Sequence, residues 1–224
     1  MGGHAFYKDA VVINMLSFNK ILSIDHKKKI ITVQSGVTWG QIIECINKYN
    51  LSVKVMQAYS AFTVGGSLSV NVHKSDIRLG PLIETVKSFR LLTANGEVLN
   101  VDRAENAELF SLVIGGYGLF GIILEADIEL KDNCIMKKTE YIIDYSKYAE
   151  FFGEIRKKIN IEFLFARLSF VKDRSMLRDI VATTYKKTNI SAAKYFNLVI
   201  NPNPLFKKII FSLSRKYDWA KRLR

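Results

Sequence analysis

Two cysteines, three histidines and three prolines are all that 224 residues hold of these types, and the first two scarcities each remove a class of protein. Cys45 and Cys134 stand far apart, with no Cys-x-x-Cys and no histidine at ligand spacing. Neither a zinc site nor a disulfide framework is indicated. Cys45 sits among Ile42, Ile43 and Ile46 and reads as a buried thiol in a reducing compartment. Acidic residues are also short, 21 against 33 lysines and arginines, for a formal charge of +12. Half of that excess falls in residues 201–224, where Lys207, Lys208, Arg215, Lys216, Lys221, Arg222 and Arg224 face Asp218 alone. Such a balance suits nucleic acid or an anionic membrane surface, but no aromatic-rich strand signature accompanies it, which speaks against nucleic acid. Long apolar runs are missing too. Leu109–Leu124, 16 residues with four glycines, falls short of the roughly 20 that a spanning helix needs. Met1-Gly2-Gly3-His4 has neither a basic nor an apolar leader. The sequence reads as a cytoplasmic protein, with 205–224 as a basic amphipathic stretch suited to peripheral membrane contact. An exposed helix of an incomplete domain has the same pattern.

What is present is a chain 49% hydrophobic, sufficient for a sizeable core. One stretch, Ser60–Gly80, is rich in small and hydroxylic residues. The Gly65-Gly66 pair removes two Cβ atoms and lets main chain approach another molecule closely. Ser67, Ser69 and Asn71 alternate with Leu68, Val70 and Val72, which in an extended chain sends polar groups to one face and apolar groups to the other. This predicts a ligand-facing strand, with a glycine-broken edge strand or bulge as the structural alternative.

The remaining patterns organise around it. Val11-Val12-Ile13 is a short β-branched run. Ile21–Asp25 and Ile30–Val33 flank a basic turn and predict a hairpin. Thr38-Trp39-Gly40-Gln41 has capping-box spacing before a helix whose face is Ile42, Ile43, Ile46 and Tyr49. Val86–Leu92 and Glu97–Val101 around Asn95-Gly96 predict a hairpin with a type I′ turn. Asp102 with Glu105 offers a second capping box, ahead of a short helix over Leu109–Val113 that stops at Gly115-Gly116. Beyond about residue 134 the order is strand (Tyr141–Ile143), helix (Tyr148–Ile159) and strand (Phe163–Val171), with a further strand over Asp179–Tyr185, the beginning of a second α+β unit.

Gly116-Tyr117-Gly118-Leu119-Phe120-Gly121 matches G-x-G-x-x-G in form, yet that dinucleotide fingerprint requires a strand before it and a helix after it. Here a helical pattern precedes and the alternating run Gly121–Leu130 follows. A Rossmann site is therefore not indicated, and the glycines read as a tight helix-to-strand passage.

Four stretches together resemble the FAD-binding domain of the vanillyl-alcohol-oxidase, or p-cresol-methylhydroxylase-type, superfamily of FAD-linked oxidases. They are Met1–His4, Val33-Gln34-Ser35-Gly36-Val37-Thr38-Trp39, Thr63–His73, and Leu109-Phe110 through Gly115–Gly121. Within the superfamily the chain is most similar to aldonolactone, alditol and decaprenylphosphoryl-ribose oxidases. The resemblance implies an α+β fold: an antiparallel-sheet FAD-binding subdomain with flanking helices over residues 1–130, then the start of a cap (substrate) domain over 134–224. It implies FAD as cofactor, held by Gly2, Gly3, Tyr59, Ser60, Thr63, Val64, Gly65, Gly66, Ser67, Ser69, Asn71, Val72 and His73, and flanked by Gly118, Gly121, Ile122 and Ile123. Buried phosphates need donors without steric bulk, and Gly65, Gly66, Ser67 and Ser69 are residues of that kind. Two departures stand out: Lys74 replaces the glycine that usually follows the histidine, and Met1-Gly2-Gly3 resembles the second half of a longer phosphate loop, as though the chain were truncated at both ends. His4 lies past the usual flavin-linking position.

By the same resemblance the chemistry is oxidation of an alcohol carbon of a sugar, lactone or polyol, with oxygen or another acceptor taking the electrons. No catalytic residue, paired carboxylate or nucleophile-base pair presents itself. Two other readings stay open: a reductase or dehydrogenase of the same superfamily, and a basic membrane-surface module.

Overall fold

In the computed structural model, residues 8–73, 76–170, 175–190 and 204–217 are described. Strands β1 (Ile21–Asp25), β2 (Ile30–Gln34), β3 (Leu51–Val53), β4 (Val86–Leu92), β5 (Val98–Asp102) and β6 (Ile122–Asp132) form one antiparallel sheet in the order β1-β2-β6-β4-β5, with β3 added to the far end of β6. The long β6 is central because its alternation lets both neighbours bury the same face. Ala126, Ile128 and Leu130 point inward beside Ile31 and Val33 of β2 and Phe89 and Leu91 of β4. Over that face lie α1 (Trp39–Asn47), α2 (Val64–Ser69) and α3 (Ala107–Val113), contributing Trp39, Ile42, Ile46, Val64, Leu68, Phe110 and Val113 to one core. Each fully buried Ile or Leu contributes about 1.5–3 kcal/mol.

A second antiparallel sheet is built from β7 (Met136–Asp144), β8 (Ile161–Leu168) and β9 (Asp179–Lys187) in the order β7-β9-β8. Helix α4 (Tyr148–Lys157) covers it through Ile155, with Ile161, Leu164, Ile180 and Ala182 as its core. The strand-helix-strand-strand order agrees with the sequence pattern. Helix α5 (Pro204–Lys216) follows. Among the described residues no helix is long and apolar enough to cross a membrane.

Several local expectations hold to the residue. Thr38 Oγ1 accepts from the Gln41 amide at 3.3 Å and Gln41 Oε1 from the Thr38 amide at 2.9 Å, a complete capping box. Others are corrected. Val11, Val12 and Ile13 form no strand and are exposed. The Asn95-Gly96 turn is not type I′, which needs φ > 0 at both central residues: only Gly96 is left-handed (φ 84°), and its amide closes on the Thr93 carbonyl at 3.1 Å. Asp102 and Glu105 make no capping box. The Asp102 carboxylate instead accepts the amides of Ala104 (2.6 Å) and Glu105 (2.7 Å) in an Asx turn, and α3 starts from left-handed Asn106 without a side-chain cap.

Candidate functional site

The expected ligand-facing strand at Ser60–Gly80 is, over its glycine-rich part, the six-residue helix α2. Thr63 caps it, its hydroxyl oxygen accepting from the Gly66 amide at 3.3 Å. Helical spacing buries Val64, Ser67 and Leu68 together. Ser67 Oγ donates to the Thr63 carbonyl (2.8 Å) and accepts from the buried indole N–H of Trp39 (2.8 Å). Ser69 Oγ donates to the Gly65 carbonyl at 2.9 Å. The alternation of Ser67 and Ser69 thus reflects hydroxyls turned back onto carbonyls four residues earlier, not one face of a strand.

The amides at the start of α2 are engaged as well. Val64 N–H donates to Val37 O and Gly65 N–H to Ser35 O, both at 2.8 Å. A Cβ on Gly65 would lie 2.7 Å from Ser35 Cβ, so this glycine seats α2 against the end of β2. The polar hydrogens of the turn are spent inside the chain, and small-residue surface is what it presents outward, at exposed Gly66 and half-buried Ser69. Asn71, left-handed at φ 44°, ends the turn and accepts from the Ile83 amide at 3.1 Å. Val72 is buried and His73 exposed. The Tyr59–Ser60 loop crosses the start of α1, where Ser60 O accepts from the Gly40 amide at 2.8 Å and Phe62 O from Trp39 at 3.1 Å.

The second glycine stretch lies against the first. Gly115 N–H donates to Leu68 O and Tyr117 N–H to Ser69 O, both at 2.9 Å. Gly115, Gly118 and Gly121 have φ of 90°, 81° and 139°, values that glycine alone adopts readily. A Cβ on Gly121 would meet Leu92 O at 2.4 Å, whereas one on Gly118 would meet open space. Gly121 leads into half-buried Ile122 and buried Ile123 at the start of β6. Helix α3 precedes and β6 follows, so the inversion of the dinucleotide pattern is real.

Of the site residues expected from the sequence, the structure therefore brings Thr63–Val72 together with Gly118–Ile123 at the end of the sheet where β6 begins. Gly2, Gly3, His4 and Lys74 lie outside the described residues. Three further polar groups were not among the expected site residues. Among the described residues, Ser35 Oγ, Gln57 Oε1 and Thr93 Oγ1 are buried without a hydrogen-bond partner, a costly condition unless something completes them. Ser35 touches Gly65 and donates its amide to Leu124 O at 2.8 Å, and Thr93 follows Leu92, the neighbour of Gly121. Ser35 and Thr93 therefore stand at the same end of the sheet as the glycines. Ser35 lies inside the Val33–Trp39 motif, the one available signal; Gln57 and Thr93 carry none.

Small backbone, two orphaned hydroxyls and an apolar rim of Tyr59, Tyr117 and Leu119, all exposed, fit one wall for a large planar cofactor with polar substituents. A groove of about 310 Å³ on the opposite face of the sheet is different. Its Asp127 accepts from the Thr32 and Ser88 hydroxyls at 2.6 Å each, and Arg90 pairs with Glu125 at 3.3 Å. Its Asp127, Glu125 and Asp102 carboxylates are matched within the chain, as on a solvated sheet face. Nearby Glu129 is held below the usual carboxylate range by hydrogen bonds from Lys54 and Lys87. Among the described residues no group of three or more His, Cys, Asp or Glu is arranged to hold a metal.

Comparison with known proteins bears on the ligand. Residues 1–102 match the family described as FAD binding domain. Decaprenylphosphoryl-beta-D-ribose oxidase of Mycolicibacterium smegmatis is 37% identical over 131 residues, 58% of this chain and 28% of that protein. L-gulonolactone oxidase of Bos taurus is 29% identical over 144 residues, 62% of this chain and 33% of its own. Cytokinin dehydrogenase 2 of Arabidopsis thaliana is 27% identical over 238 residues, 98% of this chain and 46% of its own. The chain thus spans less than half the length of these relatives. Residues 1–102 are thus an FAD-binding region, with FAD as its cofactor, and the relatives support the FAD-linked oxidase superfamily for it.

Proposed function

We propose that this chain is the cofactor-holding part of an oxidoreductase acting on an alcohol carbon of a sugar, lactone or polyol. The observation that carries the reading is the pairing of Gly115 and Tyr117 amides with the Leu68 and Ser69 carbonyls, which makes one surface of two glycine-bearing segments. Bound FAD supplies the redox chemistry, taking electrons from the donor carbon for oxygen or another acceptor. The chain's own residues position and shield it. The Gly65-Gly66 turn with Thr63, Ser69, Asn71 and His73 forms the floor, backed from beneath by buried Val64, Ser67 and Val72. Tyr59 and Ser60 form one rim, and Gly118, Gly121, Ile122 and Ile123 the other. Ser35 and Thr93 are added to the set, since their hydroxyls are the buried groups in need of a partner. Gly2 and Gly3, which the resemblance assigns to the same cofactor, lie outside the described residues.

The sugar or lactone class is supported by the names of two relatives, an oxidase of a decaprenylphosphoryl ribose and one of L-gulonolactone. A second reading, a dehydrogenase of a different donor, is favoured by the cytokinin dehydrogenase match, which extends over nearly the whole chain and so includes the second sheet. Anaerobic addition of L-gulonolactone or of a cytokinin to the FAD-loaded protein separates them, because only a true donor bleaches the flavin absorbance. Bleaching by the lactone supports the first reading, and bleaching by the cytokinin alone replaces it with the second.

Peripheral membrane contact through 205–224 belongs to the same proposal. It is supported by exposed Ile209 and Phe211 of α5 and by the basic composition of 205–224 in the sequence.

A further inference from the structure

We propose that the loop between Val72 and Leu82 is a strap that fixes the second sheet to the flavin wall, with Arg78 as its positioning residue. The loop is closed at its base, where the Leu82 amide donates to Val72 O at 2.8 Å and the Ile83 amide to Asn71 Oδ1 at 3.1 Å. His73 therefore leaves directly from that base. The far end of the loop is docked on the other sheet. Asp76 bridges Phe163 as an antiparallel partner, and the Ile77 amide donates to Glu162 O at 3.1 Å. These contacts make an isolated antiparallel bridge on the edge of β8. Ile77 packs against the core of the second sheet rather than that of the first.

Arg78 locks this arrangement. Its Nη2 donates to Lys158 O at 2.6 Å and its Nε to Ile161 O at 3.2 Å. Lys158 ends α4, so the guanidinium sits at the carbonyl end of that helix, where a cation is favoured by both the free carbonyls and the helix dipole. One planar fork spans the turn from α4 to β8, a geometry that a lysine cannot reproduce. Asp76 Oδ1 accepts from the Arg78 and Leu79 amides at 2.9 and 3.1 Å and holds the loop in shape to present the fork. A second tie runs from β6, where Lys131 pairs with Glu162 at 2.8 Å and lies 5.4 Å from the Phe163 ring. Both ties converge on Glu162 and Phe163, so β8 is joined both to the loop and to the end of β6.

The functional consequence rests on the flavin reading: the residue that opens the strap, His73, is a cofactor-facing residue there, so loosening the tip exposes the cofactor. The test compares wild type, Arg78→Ala and Arg78→Lys in the full chain, by amide hydrogen exchange and by iodide quenching of bound FAD fluorescence. In Arg78→Ala the Ile77 amide exchanges about tenfold faster or more, while β2 and β6 amides keep their protection. Iodide quenching rises about twofold at unchanged FAD affinity, and Arg78→Lys falls between the two. Unchanged Ile77 exchange and unchanged quenching in Arg78→Ala overturn the proposal. If no variant binds FAD, the flavin reading fails by itself, and the exchange rates alone decide for or against the strap.

Discussion

The main-chain N–H of Gly115 donates to the carbonyl oxygen of Leu68 at 2.9 Å, which joins two glycine-bearing segments far apart in the chain. Through this bond the end of α2 and the passage from α3 to β6 share one surface. Gly115 has room for this because the Cβ it lacks would sit 3.2 Å from Asn71 Cβ, at a φ of 90°.

The glycines of the passage are expected to differ sharply in tolerance. Gly121→Ala places a methyl group against Leu92 O in a backbone conformation unsuited to L-residues, and should cost about 3 kcal/mol. Gly118→Ala meets only the conformational strain and should cost about 1 kcal/mol. Urea unfolding of the two variants measures the gap, and equal losses would contradict it.

Ser67→Ala leaves the buried Trp39 indole N–H without its acceptor and should destabilise the protein by about 1–3 kcal/mol. Combined with Trp39→Phe, the loss should be less than additive, because the two residues share one bond. Additive losses would mean that the bond contributes nothing.

Asp144 gives a pH signature in the second sheet. Hydrogen bonds from the Ser146 hydroxyl and amide, then from Arg178, hold its pKa down at about 2, below the ordinary 3.8. A depressed carboxyl stabilises the fold above its unfolded value, and that contribution disappears as pH falls from near 3.8 through about 2. The stability difference between wild type and Asp144→Asn should shrink over that interval and stay constant above pH 5. A difference that grows on acidification would reverse the assignment.

If α5 meets an anionic surface, the protein should float with phosphatidylglycerol vesicles at low salt and not with phosphatidylcholine vesicles. Replacing Lys207, Lys208, Arg215 and Lys216 with glutamine should abolish flotation, since each basic residue contributes about 1 kcal/mol near such a surface. Flotation that ignores both salt and these substitutions would remove the electrostatic reading.

Much of the fold was legible because local chemistry has one outcome. The Thr38–Gln41 pair is followed at once by the helical spacing of Ile42 and Ile46, which makes it a helix start, and the alternation of Ile122–Leu130 suits a half-buried strand. The glycine-rich stretch was misread because Ser67–Val72 is too short to separate period 2 from 3.6, and serine hydroxyls that return to the backbone mimic an outward polar face. Asp102 satisfies amides two and three residues on in an Asx turn as readily as in a cap, so its spacing with Glu105 did not decide. The orphaned oxygens of Ser35, Gln57 and Thr93 depend on what packs around them, which no local pattern reports. That the two glycine segments flank one cofactor was implied by the resemblance, whereas the bonds that join them required the fold.

Titration of FAD into the purified protein, followed by its visible spectrum, tests the central claim most directly. Wild type should bind saturably and shift the flavin bands. Gly66→Leu, which projects bulk from the exposed face of α2 where a Cβ meets only Thr63 Oγ1 at 3.2 Å, should keep the fold and bind at least about tenfold more weakly. A free-flavin spectrum at every concentration with no thermal shift, or equal affinity in Gly66→Leu, would contradict the assignment of this surface as the flavin wall.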